Sequence, residues 1–492
     1  MSKMSSDEAL ALEEVHHPLL EDYCADGEEK EYFIRRVWNE SNKLWNISGP
    51  AIFNRVATFS MFVITQAFAG HLGDLELAAT SIAINVILGL DFGILLGMSS
   101  ALDTLCGQAF GAKKYYMLGI YMQRSWVVLS ITGVMFLPLF LFVTPILKFF
   151  GQTSEIAELA GVISLWLIPT HLAYIFYLPM HFFLQSQLKN NVITWVSLLG
   201  LLVHAYLCWL VVNKFHLGVI ALVAFGNIAW WLLVLGYFGY VICGGCTLTW
   251  TGFSIEAFSG VWEFSKLSTA SGIMICLEVW YDKALMLMTG NLQSAKTTIE
   301  ALTICLTINI WELMFPLSFY AATAVRVANE LGAGNGKGAK FASMVSVVTS
   351  IIISIFFWLL IMVFRRKLAY LFSSSEVVIK EVDKLSTFLG VTILLNSVQP
   401  VLSGVAVGSG WQKYVAFINL GSYYLIGLPL GYLLGFVFRL GVQGVWAGLI
   451  FGGPAIQTLI LAWVTSRCNW DKQAERARLH LTKWDPNQEL IR

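Results

Sequence analysis

The chain has 492 residues, of which 57% are hydrophobic and only 13% are charged, and its mean hydropathy is +0.69. A soluble protein of this length carries more Asp, Glu, Lys and Arg on its surface, so the composition excludes an ordinary soluble globular protein. The formal net charge of zero says nothing about partners.

The N-terminal segment precedes the apolar part of the chain. It is acidic and has neither the basic start nor the apolar core of a signal peptide. We expect residues 1–40 to form a disordered acidic tail in the cytosol.

Twelve apolar segments follow, each about 20 residues long or longer, which suits a helix that crosses ~30 Å of hydrocarbon. They lie near residues 45–69, 76–101, 117–143, 157–180, 191–213, 217–242, 264–289, 298–323, 342–364, 385–408, 415–437 and 442–466. Basic residues favour the termini and the even-numbered loops, so the positive-inside rule predicts that both termini are cytosolic. The run Arg365-Arg-Lys367 after the ninth segment departs from this rule.

The two halves of the chain resemble each other. Three pairs of motifs match, namely Glu40-Ser-Asn-Lys-Leu44 with Glu263-Phe-Ser-Lys-Leu267, Gln108-Ala-Phe-Gly-Ala112 with Asn329-Glu-Leu-Gly-Ala333, and Leu217-Gly-Val219 with Leu440-Gly-Val442. The members of each pair lie about 220 residues apart. Parallel repeats of this kind are common in secondary transporters, whose binding site lies where the repeats meet.

The repeat predicts the domain boundaries. We expect six-helix lobes at 41–243 and 263–466, a cytosolic linker at 244–262 and a cytosolic tail at 467–492. The aromatic residues of the linker suggest a short helix on the membrane surface.

Four stretches are specific enough to indicate a family. They are Gln66-Ala-Phe-Ala-Gly-His-Leu-Gly-Asp-Leu-Glu-Leu-Ala78, Thr104-Leu-Cys-Gly-Gln-Ala-Phe-Gly-Ala-Lys-Lys114, Arg326-Val-Ala-Asn-Glu-Leu-Gly-Ala-Gly-Asn335 and Asn396-Ser-Val-Gln-Pro-Val-Leu-Ser-Gly-Val-Ala-Val-Gly-Ser-Gly-Trp411. Over about residues 35–475 the chain resembles the multidrug and toxic compound extrusion (MATE) transporters, in particular the plant detoxification subgroup. The resemblance implies an all-α membrane protein with twelve transmembrane helices in two pseudo-symmetric six-helix lobes. It also implies exchange of organic solutes for protons by alternating access, without enzyme activity.

The resemblance also points to a coupling residue. Plant and animal members carry a glutamate in the seventh span within a Leu-Glu-x-Trp-Tyr pattern, which here is Leu277-Glu278-Val-Trp280-Tyr281. Many bacterial relatives instead carry an aspartate in the first span, and the matching stretch here has no acid. The resemblance therefore implies proton coupling in the C-terminal lobe. Asp282 replaces a usual aromatic residue, and Asn396 stands where some members have an acid in the tenth span.

The seventh span supports the same conclusion on physical grounds. A charged side chain at mid-helix costs on the order of 3 kcal/mol on insertion scales, so it faces a bundle interior or a wet cavity. Helical spacing puts Glu278, Tyr281, Asp282, Leu285 and Thr289 on one face. We predict that Glu278 carries the coupled proton and that Asp282 tunes it. The alternative is a buried structural acid bonded to Lys283 or to a tyrosine.

The eighth span supplies candidate substrate contacts. Asn309 and Glu312 lie one turn apart, and Trp311, Phe315 and Tyr320 could hold an organic cation through their ring faces. The same aromatic residues are also ordinary packing residues. Tyr281 and Asn396 complete this candidate set. In the first two spans, Arg55 and Asp91 are predicted to pair.

The favoured function is a proton-coupled antiporter that exports organic solutes, such as secondary metabolites and xenobiotics, into the vacuole or the apoplast. A small-anion channel or uniporter of the same fold is the alternative. We expect small organic solutes, protons and membrane lipid as partners, with no nucleic acid, cofactor or metal ion. We also expect a monomer, in the vacuolar membrane rather than the plasma membrane.

Overall fold

A computed structural model of the chain describes residues 6–290 and 296–483. Within these ranges it describes all side chains except those of residues 6–30, 282, 286, 290, 296, 480 and 483. The described residues form helices, turns and connecting loops, without a β-strand.

The N-terminal half contains six long helices. They are α1 Ser6–Leu72, α2 Asp74–Gly111, α3 Tyr116–Leu141, α4 with its two parts Ser154–Trp166 and Ile168–Ser186, α5 Asn190–Lys214 and α6 Val219–Gly245. The two parts of α4 meet at an angle of 45°, and a short helix, Val143–Phe149, precedes them.

The C-terminal half repeats this series. Its helices are α7 Val261–Gly290, α8 Lys296–Gly332, α9 Gly336–Tyr370, α10 Glu376–Gly408, α11 Gln412–Val437, α12 Gly441–Arg467 and the shorter α13 Trp470–Lys483. The helical conformation of α12 is interrupted at Gly453.

Each of the twelve predicted spans corresponds to one of α1–α12. Over the part of the chain that the structure describes, ten helices are long and apolar enough to cross a membrane, and the bent α4 is an eleventh. Helix α7 is 30 residues long, but its apolar part carries Glu278, Asp282 and Lys283. It is therefore long enough to span a bilayer and more polar than the others.

In the N-terminal segment, helix α1 begins at Ser6, and the structure describes the backbone of residues 6–40 as helical. The last part of this segment has tertiary contacts that favour a helix. Phe33 packs edge-on against Phe341 of α9, and the Arg36 guanidinium lies 4.4 Å from the centre of the same ring.

The helices form two lobes that contact each other through related pairs of helices. In the N-terminal lobe α5 packs against α1 and α6, and in the C-terminal lobe α10 packs against α8 and α9. Between the lobes, α1 packs against α8 and α7 packs against α2. These last two pairs are equivalent under the repeat, as pseudo-twofold symmetry requires.

The symmetry is closest where α2 meets α8, at the predicted cytosolic end. A Cβ atom at Gly111 would lie 2.0 Å from the carbonyl oxygen of Asn329, and one at Gly332 would lie 2.0 Å from that of Gln108. Gln108 and Asn329 are equivalent in the repeat, as are the two glycines. This reciprocal backbone contact, which we call the glycine seam, brings α2 and α8 together because neither glycine has a side chain.

The linker and the last helix lie at the same end of the molecule. The linker contains a 3-10 helix, Ile255–Phe258, and its exposed Phe253 and Trp262 suit a membrane surface. In α13, Trp470, Ala474 and Ala477 pack on the C-terminal lobe, whereas Leu481 joins the core of the N-terminal lobe.

Candidate functional site

Glu278 lies on α7 and meets amide side chains from three other helices. Its carboxylate oxygen Oε1 is 3.0 Å from Asn419 Nδ2 of α11, 3.1 Å from Gln457 Nε2 of α12 and 3.5 Å from Gln399 Nε2 of α10. All three nitrogens are donors. We call these residues the amide cluster. Their arrangement stabilises a charged carboxylate, because donated hydrogen bonds favour that form.

The members of the amide cluster orient one another. Gln457 Nε2 also donates to Asn419 Oδ1 over 2.7 Å, and Gln457 Oε1 accepts from Gln399 Nε2 over 2.9 Å. The hydroxyl of Tyr423 donates to the same Gln457 oxygen. The three residues are buried, so their amide groups are fixed toward Glu278 rather than free to turn into solvent.

Local backbone features bring these side chains together. Asn419 is followed at once by a π-helical segment, Leu420–Gly427, and such wide turns occur frequently at functional sites. Pro400 follows Gln399 inside α10, and Gln457 lies one turn after the break at Gly453. A proline or a break removes helical hydrogen bonds and permits a local bend.

Tyr281 lies in the interior of the C-terminal lobe rather than in the cleft between the lobes. Its hydroxyl donates to the Leu449 carbonyl oxygen over 2.6 Å, and its ring stacks on Tyr423 with 4.5 Å between the ring centres. Gly427 and Gly453 make room for it, since a Cβ atom at either would lie within 2.6 Å of the Tyr281 hydroxyl oxygen. On the face of α7 that helical spacing assigned to Glu278, the side chains of Tyr281 and Leu285 are thus buried in the core of the lobe. The Asp282 side chain lies outside the described residues.

The candidates on α8 and α10 divide into two groups. Trp311 packs edge-on against Phe59 of α1, with 5.4 Å between the ring centres, so it faces the other lobe. Tyr320 lies in the electrostatic range of Arg55 and Asp103 in the N-terminal lobe as well as of Glu278. Both therefore lie on the side of α8 that faces the N-terminal lobe.

The second group faces the C-terminal lobe. Phe315 packs against Phe357 of α9, with 4.6 Å between the ring centres. Asn396 Nδ2 donates to Asn309 Oδ1 over 3.2 Å, which joins α10 to α8. Glu312 is buried, with 4% of its surface exposed.

The predicted pairing of Arg55 with Asp91 is wrong. Asp91 Oδ2 lies 2.8 Å from His171 Nδ1 of α4, and both side chains are fully buried inside the N-terminal lobe. Arg55 instead lies within electrostatic range of Tyr320, Asp103 and Tyr177. The rotation of α2 about its axis decides whether Asp91 faces the interior of the N-terminal lobe. Spacing along the chain does not reveal that rotation.

The sequence did not single out the amide cluster as a site. One signal was present, because Asn419 and Gln457 are uncharged polar residues within otherwise apolar spans, where polar side chains are costly and mark interior contacts. Over the described ranges, no three His, Cys, Asp or Glu residues are placed to hold a metal ion.

A family model described as MatE matches the chain twice, at residues 50–210 and 270–433. The two matched ranges start 220 residues apart, which agrees with the repeat. Together they cover most of both lobes.

Similar proteins are found among plant sequences and solved structures. Protein DETOXIFICATION 27 of Arabidopsis thaliana is 59% identical over 457 residues, which are 93% of this chain and 94% of that protein. Protein DETOXIFICATION 26 of the same plant is 57% identical over 474 residues, or 96% of this chain and 97% of the relative. The crystal structure of the eukaryotic MATE transporter AtDTX14 is similar with a TM-score of 0.85 and 34% identity, and it covers 90% of this chain and 99% of its own.

Proposed function

Because the chain belongs to the MATE family of membrane transporters, we propose that it is a proton-coupled antiporter that moves organic solutes out of the cytosol. The observation that carries this proposal is the position of Glu278. It is an acid inside a membrane-spanning helix, partly accessible, and it accepts hydrogen bonds from three helices of one lobe. Membership of the family makes the chain a transporter and not an enzyme.

The chemistry of Glu278 suits coupling. When Glu278 is protonated, its carboxyl group accepts fewer hydrogen bonds. The amide groups of the amide cluster can then bond to other partners. Without the proton, the carboxylate draws the donors from α10, α11 and α12 toward α7. Protonation therefore changes how four helices of the C-terminal lobe attract one another, and a change of lobe shape is what alternating access requires.

Solute binding is assigned to the surface between the lobes. Trp311 of α8 and Phe59 of α1 offer aromatic faces from opposite lobes, and Tyr320 adds a hydroxyl group. Such faces attract organic cations and pack against planar rings. The name of the Arabidopsis relatives, DETOXIFICATION, agrees with export of foreign or secondary compounds.

The test is proton-driven uptake into vesicles by the Glu278→Gln variant. Glutamine keeps the volume and the hydrogen bonding but cannot release a proton, so the variant should fold, bind solute and fail to accumulate it against a gradient. Full gradient-driven accumulation by the variant would exclude the coupling role. Current without a proton gradient would instead favour the small-anion channel.

Two finer assignments belong to the same proposal. We place the protein in the vacuolar membrane, which a fluorescent fusion in plant cells tests directly. Asp282 is proposed to tune Glu278, since a nearby negative charge favours the protonated form. Changing Asp282 to Asn should therefore move the pH profile of uptake to lower pH, and an unchanged profile would confine Asp282 to a structural role.

A further inference from the structure

Glu312 of α8 has an environment opposite to that of Glu278. Only 4% of its surface is exposed, and no hydrogen-bond donor among the described residues reaches either carboxylate oxygen. Burying a charged carboxylate without donors costs far more than burying the neutral acid. Inside a membrane-spanning helix, Glu312 is therefore stable in this conformation only as the protonated acid.

The charged side chains on the neighbouring helices are not placed to stabilise an ionised Glu312 carboxylate. Arg55 and Asp103, from the helices α1 and α2 that pack on α8, lie near Tyr320, which is eight residues or about 12 Å along α8 from Glu312. Arg326 and Glu330 are further along the same helix. The charged residues of α9 and α10 lie near the helix ends, namely Lys337, Lys340, Arg365, Arg366, Lys367, Glu376, Lys380, Glu381, Asp383 and Lys384.

Three polar side chains lie between Glu312 and Glu278 in sequence order along α8 and α10, namely Asn309, Asn396 and Gln399. Asn309, one turn from Glu312 on α8, accepts the hydrogen bond from Asn396 of α10 over 3.2 Å. One turn further along α10, Gln399 donates to Glu278. The two acids thus lie at the ends of a polar path across the C-terminal lobe, one surrounded by donors and the other without them.

We propose that Glu312 is a second proton site of this lobe, which holds a proton while Glu278 is ionised. Two acids whose surroundings favour opposite protonation states can divide acid and base roles. Glu312 releases its proton to water when α8 and α10 separate and admit solvent, and it takes a proton back before they close. The proposal rests on the proton-coupled antiport proposed above, and it predicts that two protons move in each cycle.

The first test reads the protonation state without transport. Infrared difference spectra of wild type minus Glu312→Gln, in lipid at neutral pH, should contain the C=O band of a protonated carboxylic acid. Glu300→Gln is the matched control, because Glu300 is an exposed acid on the same helix, and its difference spectrum should lack that band. Absence of the band from the Glu312→Gln spectrum, or its presence in the control spectrum, would overturn the proposal.

The second test counts protons. The proton-to-solute ratio, measured from the proton gradient that just balances a solute gradient, should fall by one in Glu312→Gln. An unchanged ratio would overturn the second site. The two proposals fail in different ways. Solute accumulation by Glu278→Gln would contradict proton coupling itself. If Glu278→Gln is inactive but Glu312→Gln keeps the wild-type proton-to-solute ratio, only the second site is contradicted.

Discussion

At the scale of single residues, the amide cluster sets how strongly Glu278 holds its charge. Among the three amide groups that donate to Glu278 Oε1, that of Asn419 makes the shortest contact, at 3.0 Å, and it also donates to the Met274 carbonyl oxygen over 3.2 Å. One side chain therefore both fixes α11 to α7 and stabilises the carboxylate.

Replacing Asn419 by Ala removes one donor from the charged carboxylate. The protonated form then becomes relatively more stable, so half-maximal proton-driven uptake should occur at a higher pH than in the wild type. The substitution should also lower the free energy of unfolding by about 1–3 kcal/mol, because buried polar partners lose a hydrogen bond.

Asn227→Ala is the matched control for this prediction. Asn227 is a buried amide that bonds to Thr170 and to the Trp166 carbonyl oxygen, in the other lobe. It should lose stability to a similar degree without a change in the pH profile. Identical profiles for the two variants would show that Asn419 acts on stability alone.

At the scale of helices, a buried ion pair joins α1 to α8. Arg326 Nε lies 2.7 Å from Glu40 Oε1, and Arg326 Nη2 lies 3.1 Å from Glu40 Oε2, while Glu330 binds the same guanidinium. The pair connects the two lobes at the predicted cytosolic end. Alternating access would have to break it in every cycle.

Replacing Glu40 by Ala should lower the stability of the closed arrangement by about 3–5 kcal/mol, because Arg326 keeps its buried charge with a weaker set of partners. Thermal unfolding in detergent measures the loss, and a double-mutant cycle with Arg326→Ala isolates the pair. Lys43→Ala is the control, since Lys43 is largely exposed beside the same Glu40 and should cost about 0–1 kcal/mol. Equal losses of stability in Glu40→Ala and Lys43→Ala would mean that the Glu40–Arg326 pair stabilises the protein no more than a surface ion pair does.

At the scale of the whole molecule, the glycine seam decides how close the lobes come. Since the Gln108 carbonyl oxygen would lie 2.0 Å from a Cβ atom at Gly332, even alanine forces the backbones of α2 and α8 apart. Contacts between the lobes continue from this end through Trp45 and Phe319 to Phe59 and Trp311. Closure of the predicted cytosolic end thus depends on Gly111 and Gly332, which have no side chains.

Gly332→Ala should therefore favour opening of the predicted cytosolic end. Spin labels at the exposed positions 113 and 337 should report a longer distance than in the wild type, and net transport should fall. Gly93→Ala, on α2 with nothing within 4 Å of its added Cβ atom, should leave both quantities unchanged. A wild-type label distance in Gly332→Ala would contradict a role for the seam in closure.

Much of the architecture was predictable from the sequence, because bilayer thickness fixes the length of a span and the repeat predicts two equivalent sets of helices. Glu278 was predictable because a charge within an apolar span is costly. Its partners were not, since Asn419 and Gln457 lie 141 and 179 residues away along the chain and meet Glu278 only through helix rotation and packing. The environment of Glu312 also depends on that packing, so its lack of donors could not be inferred from spacing.

The glycine seam also bears on the history of the chain. Each half offers the other the same surface, with its glycine against the carbonyl of its counterpart, which is the contact that two identical subunits make across a twofold axis. Such a surface is self-complementary, so two copies of an ancestral half could have assembled as a homodimer before a gene duplication joined them. After that fusion the halves were free to diverge, and an acid such as Glu278 could arise in one half while the shared joint stayed the same.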